Sequence, residues 1–579
     1  MKIKILIGSV ILSGVLFAQN PLFIPSVLTG TTFNLNIQNG VTQFLPSINT
    51  PTYGINGPLL APTLIVNKWD TVTLNVTNNL TGNGNSTTMH WHGFHVPAID
   101  DGGPHQIIAQ NSTWSPSFQI LNNAGTYWYH PHGDGKTDLH VSKGLAGMII
   151  VKDSAENALV LPRTYGVDDF PLIIQTKSFD VLNQIAVSTS YDTLPMVNGT
   201  VDPYLDAPAQ VVRFRVLNGA SERSFMLGFS NNMNFQVIAS DGGLLDSSVT
   251  MNRLLIGNGE RYEILVDLSA MLNDTVFLMS YGSEIPRGVM GADSVGDATN
   301  QVMDYYSNFL NGLDYNLLQI NVGAQTASPV LTIPVALVPL TPIPAANAGV
   351  NRLFELDTLS EVFTQPNLAE GPFGINRVFF DMDSVNEVVY LNDTEIWTVY
   401  NKTMVAHPFH IHDVQFFILD INGGPVPVHE QGLKDVVLVM PGDSIRFITK
   451  FEDFADDSVP YMYHCHILHH EDDGMMGSFI VIDTTTSIGM NNRVNPEVKV
   501  YPDPAGDACT ISVYSAVQTD ATITLYNEFG QKVEDIYVGP LREGGNTVEF
   551  STSEFSSGFY FLLVNGEVTQ SSTKLIISH

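Results

Sequence analysis

The chain has 579 residues, 44% of them hydrophobic and 14% charged. At roughly 150 residues per domain that is room for about four domains, and a chain this apolar buries cores and is not intrinsically disordered. Lys and Arg number 25 against 58 Asp and Glu, a formal net charge of -33. That balance argues against nucleic-acid binding, which needs cations to displace counterions from phosphates. Two cysteines permit one disulfide at most, so no disulfide scaffold is expected.

Lys2 and Lys4 precede an apolar run from Ile5 to Phe17 and a small residue, Ala18. A charged n-region, a short h-region and a small residue at the cut read as a signal peptide over 1–18, with an uncleaved anchor as the alternative. No later segment reaches 18 uninterrupted apolar residues. The mature chain is therefore expected to be exported, without a transmembrane anchor.

Three strand-rich blocks follow, at 21–155, 156–328 and 345–485. Leu64 to Val66, Thr71 to Val76 and Gly144 to Val151 belong to the first, and Val211 to Val216 and Tyr262 to Asp267 to the second. Glu387 to Leu391, Ser444 to Ile448 and Gly477 to Ile482 belong to the third. Such β-branched and aromatic runs, bounded by Gly, Asn and Pro, suit antiparallel sandwiches, so the fold class is all-β. Pro329 to Pro344 reads as an extended linker between the second and third blocks. Blocks one and three end alike, in a His-rich strand, a turn, and then Gly with apolar β residues.

Ten of the 16 histidines fall into four clusters: His90 and His92; His130 and His132; His407, His410 and His412; His464, His466 and His470. Residues two apart on a strand project to one face, so each His-x-His pair aims two imidazoles into one gap. Packing alone gives no reason to bury so many imidazoles, because each unpaired ring nitrogen carries a cost. Metal does. In His464-Cys465-His466 the thiol faces away from both histidines. His407 also has the parity opposite to His410 and His412, so it can join Cys465 and His470 at a separate site. Met475 follows across a turn, and two His, one thiolate and a weak axial Met describe a blue-copper electron-transfer site. Zinc competes for such residues, but the thioether and the further imidazoles favour several coppers.

After Asp483 the composition changes. Thr484 to Pro496 reads as a linker, and 498–579 as a small β-sandwich with strands such as Cys509 to Tyr514 and Ala521 to Tyr526. Val500-Tyr-Pro-Asp-Pro504, Leu525-Tyr-Asn-Glu-Phe-Gly530, Ser557-Gly-Phe-Tyr-Phe561 and Lys574-Leu-Ile-Ile577 resemble the sorting domain of the type IX secretion pathway. The resemblance implies engagement of the outer-membrane secretion machinery, after periplasmic transit, and then release or cell-surface attachment. A carbohydrate-binding or adhesion module is the alternative.

His90-Trp-His-Gly93, His130-Pro-His132, His407-Pro-Phe-His-Ile-His412 and His464-Cys-His-Ile-Leu-His-His-Glu-Asp-Asp-Gly-Met475 resemble the four motifs of the multicopper oxidases, the three-domain, laccase-like family. The resemblance implies three cupredoxin-like Greek-key sandwiches and four copper ions per chain. By that resemblance one type 1 copper takes His407, Cys465, His470 and Met475. One type 2 copper takes His90 and His410, and two type 3 coppers take His92, His130, His132, His412, His464 and His466. Asp101 and Glu471 are the implied proton donors. The partners the resemblance implies are dioxygen and a small reducing substrate.

The copper-tolerance oxidases of this family share a similar His-Glu-Asp-x-Gly-Met-Met ending, but carry a Met-rich insertion and an Asp-Met pair. Here the 18 methionines are scattered and Thr403 and Val405 stand at the corresponding positions, with Met404 between them. Oxidation of phenols and other aromatic donors is therefore expected first. Cuprous or ferrous ion oxidation is the alternative, and a surface copper-binding protein without turnover is the non-enzyme alternative. His95, His105, His140, His429, His469 and His579 match no ligand position, and Cys509 reads as a buried apolar thiol.

Overall fold

The alternation of apolar and polar residues decides which face of each strand is buried. In Thr32–Leu45, Phe33, Leu35 and Ile37 are buried while Thr32, Asn34 and Asn36 face solvent, and in Thr71–Asn79 the buried set is Val72, Leu74 and Val76. A computed structural model describes residues 20–82, 85–187, 192–294, 308–359, 371–484, 497–515, 517–527, 531–566 and 570–579. The signal-peptide reading on 1–18 and nearly all of the 484–496 linker lie outside the described residues. The molecule is 52% strand and 5% helix, which makes it all-β.

Residues up to Ile482 form one compact unit and Asp483–His579 a second. The described residues of the first unit form six sheets, one of six strands, one of seven and four of five. One sheet runs, in spatial order, Val27–Thr29, Thr63–Asn67, Gly147–Lys152, Gly125–His130 and His90–His92. Another runs Glu387–Tyr390, Met476–Ile482, Asp456–Cys465, His407–Ile411 and Val436–Val439. The two share one plan: a strand parallel to the Gly-bearing strand, then a strand ending in the His-x-His or His-Cys-His run, then the strand bearing the earlier histidines. The likeness between the ends of the two blocks is thus a likeness of topology.

The expectation of antiparallel sandwiches needs correction. Thr63–Asn67 pairs parallel with Gly147–Lys152, Thr32–Leu45 with Thr71–Asn79, Asp169–Lys177 with Val211–Asn218, and Val350–Thr358 with Thr394–Asn401. Alternation specifies the face of a strand, not its direction. Parallel neighbours need long crossovers, and the sequence between these strands supplies them.

In the second block Asp169–Lys177 is buried along its whole length. Val211–Asn218 is buried at every position although it carries Arg213 and Arg215. Both guanidiniums are answered by carboxylates, Arg213 by Glu156 and Glu263, and Arg215 by Asp169 and Glu263. The second unit packs a three-stranded against a four-stranded sheet around Ile511, Val513, Ile523, Leu562, Val564 and Leu575. Cys509 is buried and unbridged there. Among the described residues no helix is long and apolar enough to cross a membrane.

Candidate metal centre

Strand register brings the histidine clusters together. His130 pairs with His90 and Trp128 with His92, while His410 pairs with His464 and Phe409 with Cys465. Imidazoles from the two sheets then stack, His90 on His412 with centroids 3.9 Å apart and His92 on His410 at 3.8 Å. Five sets of three donors result among the described residues, each with ligand atoms within 4.8 Å of one another: His90, His410 and His412; His92, His130 and His466; His132, His412 and His464; His92, His410 and Asp435; and, apart from these, His407, Cys465 and His470.

The hydrogen bonds fix which ring nitrogen carries the proton. His90 Nδ1 donates to the Asp101 carbonyl at 2.9 Å, His410 Nδ1 to the Asp435 carbonyl at 2.7 Å, and His130 Nδ1 to the Pro131 carbonyl at 2.9 Å. His464 Nδ1 donates to the Cys465 carbonyl at 3.0 Å and His412 Nδ1 to Asp101 Oδ2 at 2.7 Å. In each ring Nε2 is left as the lone-pair nitrogen. His464 Nε2 lies 3.1 Å from His132 Nε2 and 3.3 Å from His412 Nε2. His92 is reversed: Nε2 donates to Asp435 Oδ1 at 3.2 Å, which leaves Nδ1.

His90 Nε2, His92 Nδ1, His130 Nε2, His410 Nε2 and both nitrogens of His466 are buried without a hydrogen-bond partner. Burial lowers the proton affinity of these rings, and the neighbouring imidazoles lower it further: His466 titrates at about 3, and His92, His130, His410 and His412 lie well below the usual histidine range. Neutral lone pairs converging in dry space repel one another, and a bound cation satisfies them together. The residues therefore fit a cluster of metal ions.

The separate set has different chemistry. Cys465 Sγ lies 3.4 Å from His407 Nδ1 and 3.8 Å from His470 Nδ1. Met475 is fully buried and its carbonyl accepts from Cys465 N at 3.1 Å. Burial pushes the thiol well up, so it needs a metal to ionise. His470 sits on a short helix, Leu468–Asp472, which the sequence reading did not foresee.

Asp101 and Glu471 are buried at the larger cluster. Glu471 Oε1 is 3.3 Å from His132 Nδ1 and its Oε2 3.2 Å from His464 Nδ1. Burial raises its carboxyl, but His132 and His464 overcome this and hold it below the usual range.

Three supporting residues escaped the sequence reading. Asp435 holds His92, and Arg261 of the middle sheets binds both Asp435 oxygens, at 2.6 and 2.7 Å. Glu222 meets His469 Nδ1 at 2.8 Å. Thr403, noted in the sequence only as a departure, has its hydroxyl 2.8 Å from His407 Nε2. No motif marks Asp435, Arg261 or Glu222, because each acts across a sequence gap that only folding closes.

The other histidines join no donor set. His105 meets the Met382 carbonyl at 3.0 Å, and His140 meets Thr87 Oγ1 at 3.2 Å. His95 Nδ1 lies 2.7 Å from Asp413 Oδ1, tying the first block to the third. Burial lowers the His95 ring, but Asp413 and Asp453 overcome it and raise it to about 9. A raised folded value means that the stabilisation is complete below the unfolded value near 6.5 and is lost as pH rises through about 9. His95→Gln is therefore expected to cost on the order of 2 kcal/mol at pH ~6. Melting temperatures of variant and wild type should converge above pH ~9; a gap independent of pH would contradict the ion pair.

The fold and these donor sets define a cupredoxin-type copper protein, and comparison with known proteins agrees. Residues 36–156, 189–301 and 351–485 each match a family description "Multicopper oxidase", and 499–578 match "Secretion system C-terminal sorting domain". The multicopper oxidase mco of Staphylococcus haemolyticus is 32% identical over 460 residues, covering 78% of this chain and 88% of that protein. Among solved structures, the laccase-like multicopper oxidase CueO of Ochrobactrum sp. is 33% identical, with a TM-score of 0.69, covering 80% of this chain and all of the other. A multicopper oxidase of Campylobacter jejuni described as a metallo-oxidase is 25% identical with a TM-score of 0.65, covering 80% and 96%. Relatives named cell division protein FtsP also match, the Escherichia coli protein at 30% over 474 residues, covering 80% and 93%. The chain belongs to the multicopper oxidase family and carries a C-terminal secretion sorting domain.

Proposed function

We propose that this multicopper oxidase is laccase-like, coupling one-electron oxidation of phenolic or other aromatic donors to the four-electron, four-proton reduction of dioxygen to water. When bound, four copper ions supply the one-electron transfer and the dioxygen reduction. His407, Cys465, His470 and Met475 are the type 1 ligands in this reading, His90 and His410 the type 2 ligands, and His92, His130, His132, His412, His464 and His466 the type 3 ligands.

The observation that carries the proposal is the position of Cys465. Its thiol belongs to the set with His407 and His470, while His464 and His466, its covalent neighbours, belong to two sets of the histidine cluster. The Cys465 backbone thus gives electrons a bonded path between the sets. Asp101 and Glu471 are placed to pass protons to the cluster, each as a carboxylate that accepts a proton before giving it up: Asp101 Oδ2 accepts from His412, and Glu471 faces His132 and His464. The sorting domain hands the folded chain to the outer-membrane secretion machinery, so the donor is met outside the cell or at its surface.

Phenols are favoured over metal ions by the scattered methionines and by Thr403, a neutral hydroxyl where a carboxylate would bind a cation. Two observations keep other readings in view, namely the similarity to a metallo-oxidase and to proteins named for cell division. An oxygen electrode decides between them. The copper-loaded chain should consume oxygen with phenols, and faster than with cuprous, ferrous or manganous ions, before and after excess copper is added. Uptake with metal ions alone supports the metal-ion oxidase, and tight copper without uptake supports a binding protein.

A further inference from the structure

A cleft of about 680 Å³ opens where the first block, the 338–341 segment and the third block meet. None of its lining residues belongs to the metal sets. Its volume falls within the range of small-molecule sites.

Trp69 stands at this cleft in a left-handed conformation, φ 76°, which bulky side chains rarely take. The strain is held by two hydrogen bonds, Trp69 N to the Ile120 carbonyl at 2.7 Å and Gln119 Nε2 to the Trp69 carbonyl at 3.0 Å. It displays an indole that is 62% exposed, while Trp91, Trp128 and Trp397 are fully buried and Trp114 partly so. A strained residue over-determined by its surroundings points to a use for its side chain.

The charges are placed to complement an anion. Lys68 Nζ lies 5.0 Å from the Trp69 ring centroid and among the described residues makes one hydrogen bond, to Asn123 Oδ1 at 2.8 Å, so it keeps donors in reserve. Lys152 lines the same cleft, and its ammonium has no hydrogen bond or ion pair among the described residues. The one acid there, Asp153, is committed: Oδ1 accepts from Glu156 N at 2.7 Å and Oδ2 from Ala124 N at 3.1 Å. Burial pulls the Lys68 ammonium below the usual lysine range, with Asp153 pulling back, and a second anion would relieve it. Two ammoniums beside one carboxylate leave the cleft lining with a net positive charge, on a chain of net charge -33. Leu340 and Phe417 supply an apolar wall.

We propose that this cleft binds a small aromatic carboxylate, the carboxylate held by Lys68 and Lys152 and the ring against Trp69 and the apolar wall. The site shares no residue with the donor sets, and its occupancy is read without turnover.

Copper-loaded full-length protein, reduced to the diamagnetic cuprous state and carrying 5-fluorotryptophan at its five tryptophans, gives one fluorine resonance per indole, and Trp69→Phe identifies the relevant one. Benzoate should shift the Trp69 resonance saturably and leave the other four in place. Benzamide, the neutral isostere, should bind at least tenfold more weakly. Lys68→Ala and Lys152→Ala should each weaken benzoate about tenfold with copper content and melting temperature unchanged, which separates binding from folding. The proposal is overturned if benzoate leaves the Trp69 resonance unmoved, if benzamide or glucose shifts it as readily, or if both lysine variants bind benzoate like the wild type.

Discussion

Cys465→Ser should turn the copper-loaded protein colourless and slow donor oxidation by more than about 100-fold, beyond the loss expected when only a supporting partner of a metal ligand is removed. A hydroxyl is a hard donor that stays protonated, so the set of His407, His470 and Met475 loses the soft ligand that selects copper. The large cluster should survive, because the Cys465 side chain points away from it while His464 and His466 keep their backbone positions. Metal analysis of the variant should therefore show one copper fewer per chain, not an empty protein. Retention of colour and rate would remove Cys465 from the electron path.

Arg261→Ala carries the second large effect. Arg261 is fully buried, binds both oxygens of Asp435, and also donates to the carbonyls of Thr126, Gly259 and Asp241. Its removal strands a buried carboxylate and several carbonyls, a change that typically costs about 3–5 kcal/mol. Asp435 orients His92 through Oδ1 and receives His410 at its carbonyl, so copper affinity at the cluster should fall by about 10–100-fold as well. Arg261→Lys should recover part of the charge but not the two-pronged geometry. Denaturation and copper titration of the three proteins give the comparison; an alanine variant that melts and loads like the wild type would leave Arg261 a bystander.

The histidine spacing made the site legible before folding was considered. Parity alone separated Cys465 from His464 and His466, and separated His407 from His410 and His412, and the donor sets divide along those lines. Strands were legible because alternation such as Phe33, Leu35 and Ile37 records burial directly. Strand direction was not, since parallel partners such as Thr63–Asn67 and Gly147–Lys152 are set by crossovers that leave no local pattern. Asp435 and Arg261 were invisible for a related reason: a lone carboxylate in Lys434-Asp435-Val436 and a lone arginine in Glu260-Arg261-Tyr262 look like ordinary strand residues until 174 positions of chain fold between them. The helix carrying His470 was missed because five residues are too few to show a helical period.

Metal content and spectrum, measured together on one sample, test the four-copper assignment most directly. Copper-loaded protein should hold four copper ions per chain and show blue absorption from a thiolate-bound copper. Its paramagnetic resonance should come from two of the four ions, with the remaining pair silent. A colourless protein, or one saturating with a single ion at the Cys465 set, would contradict it.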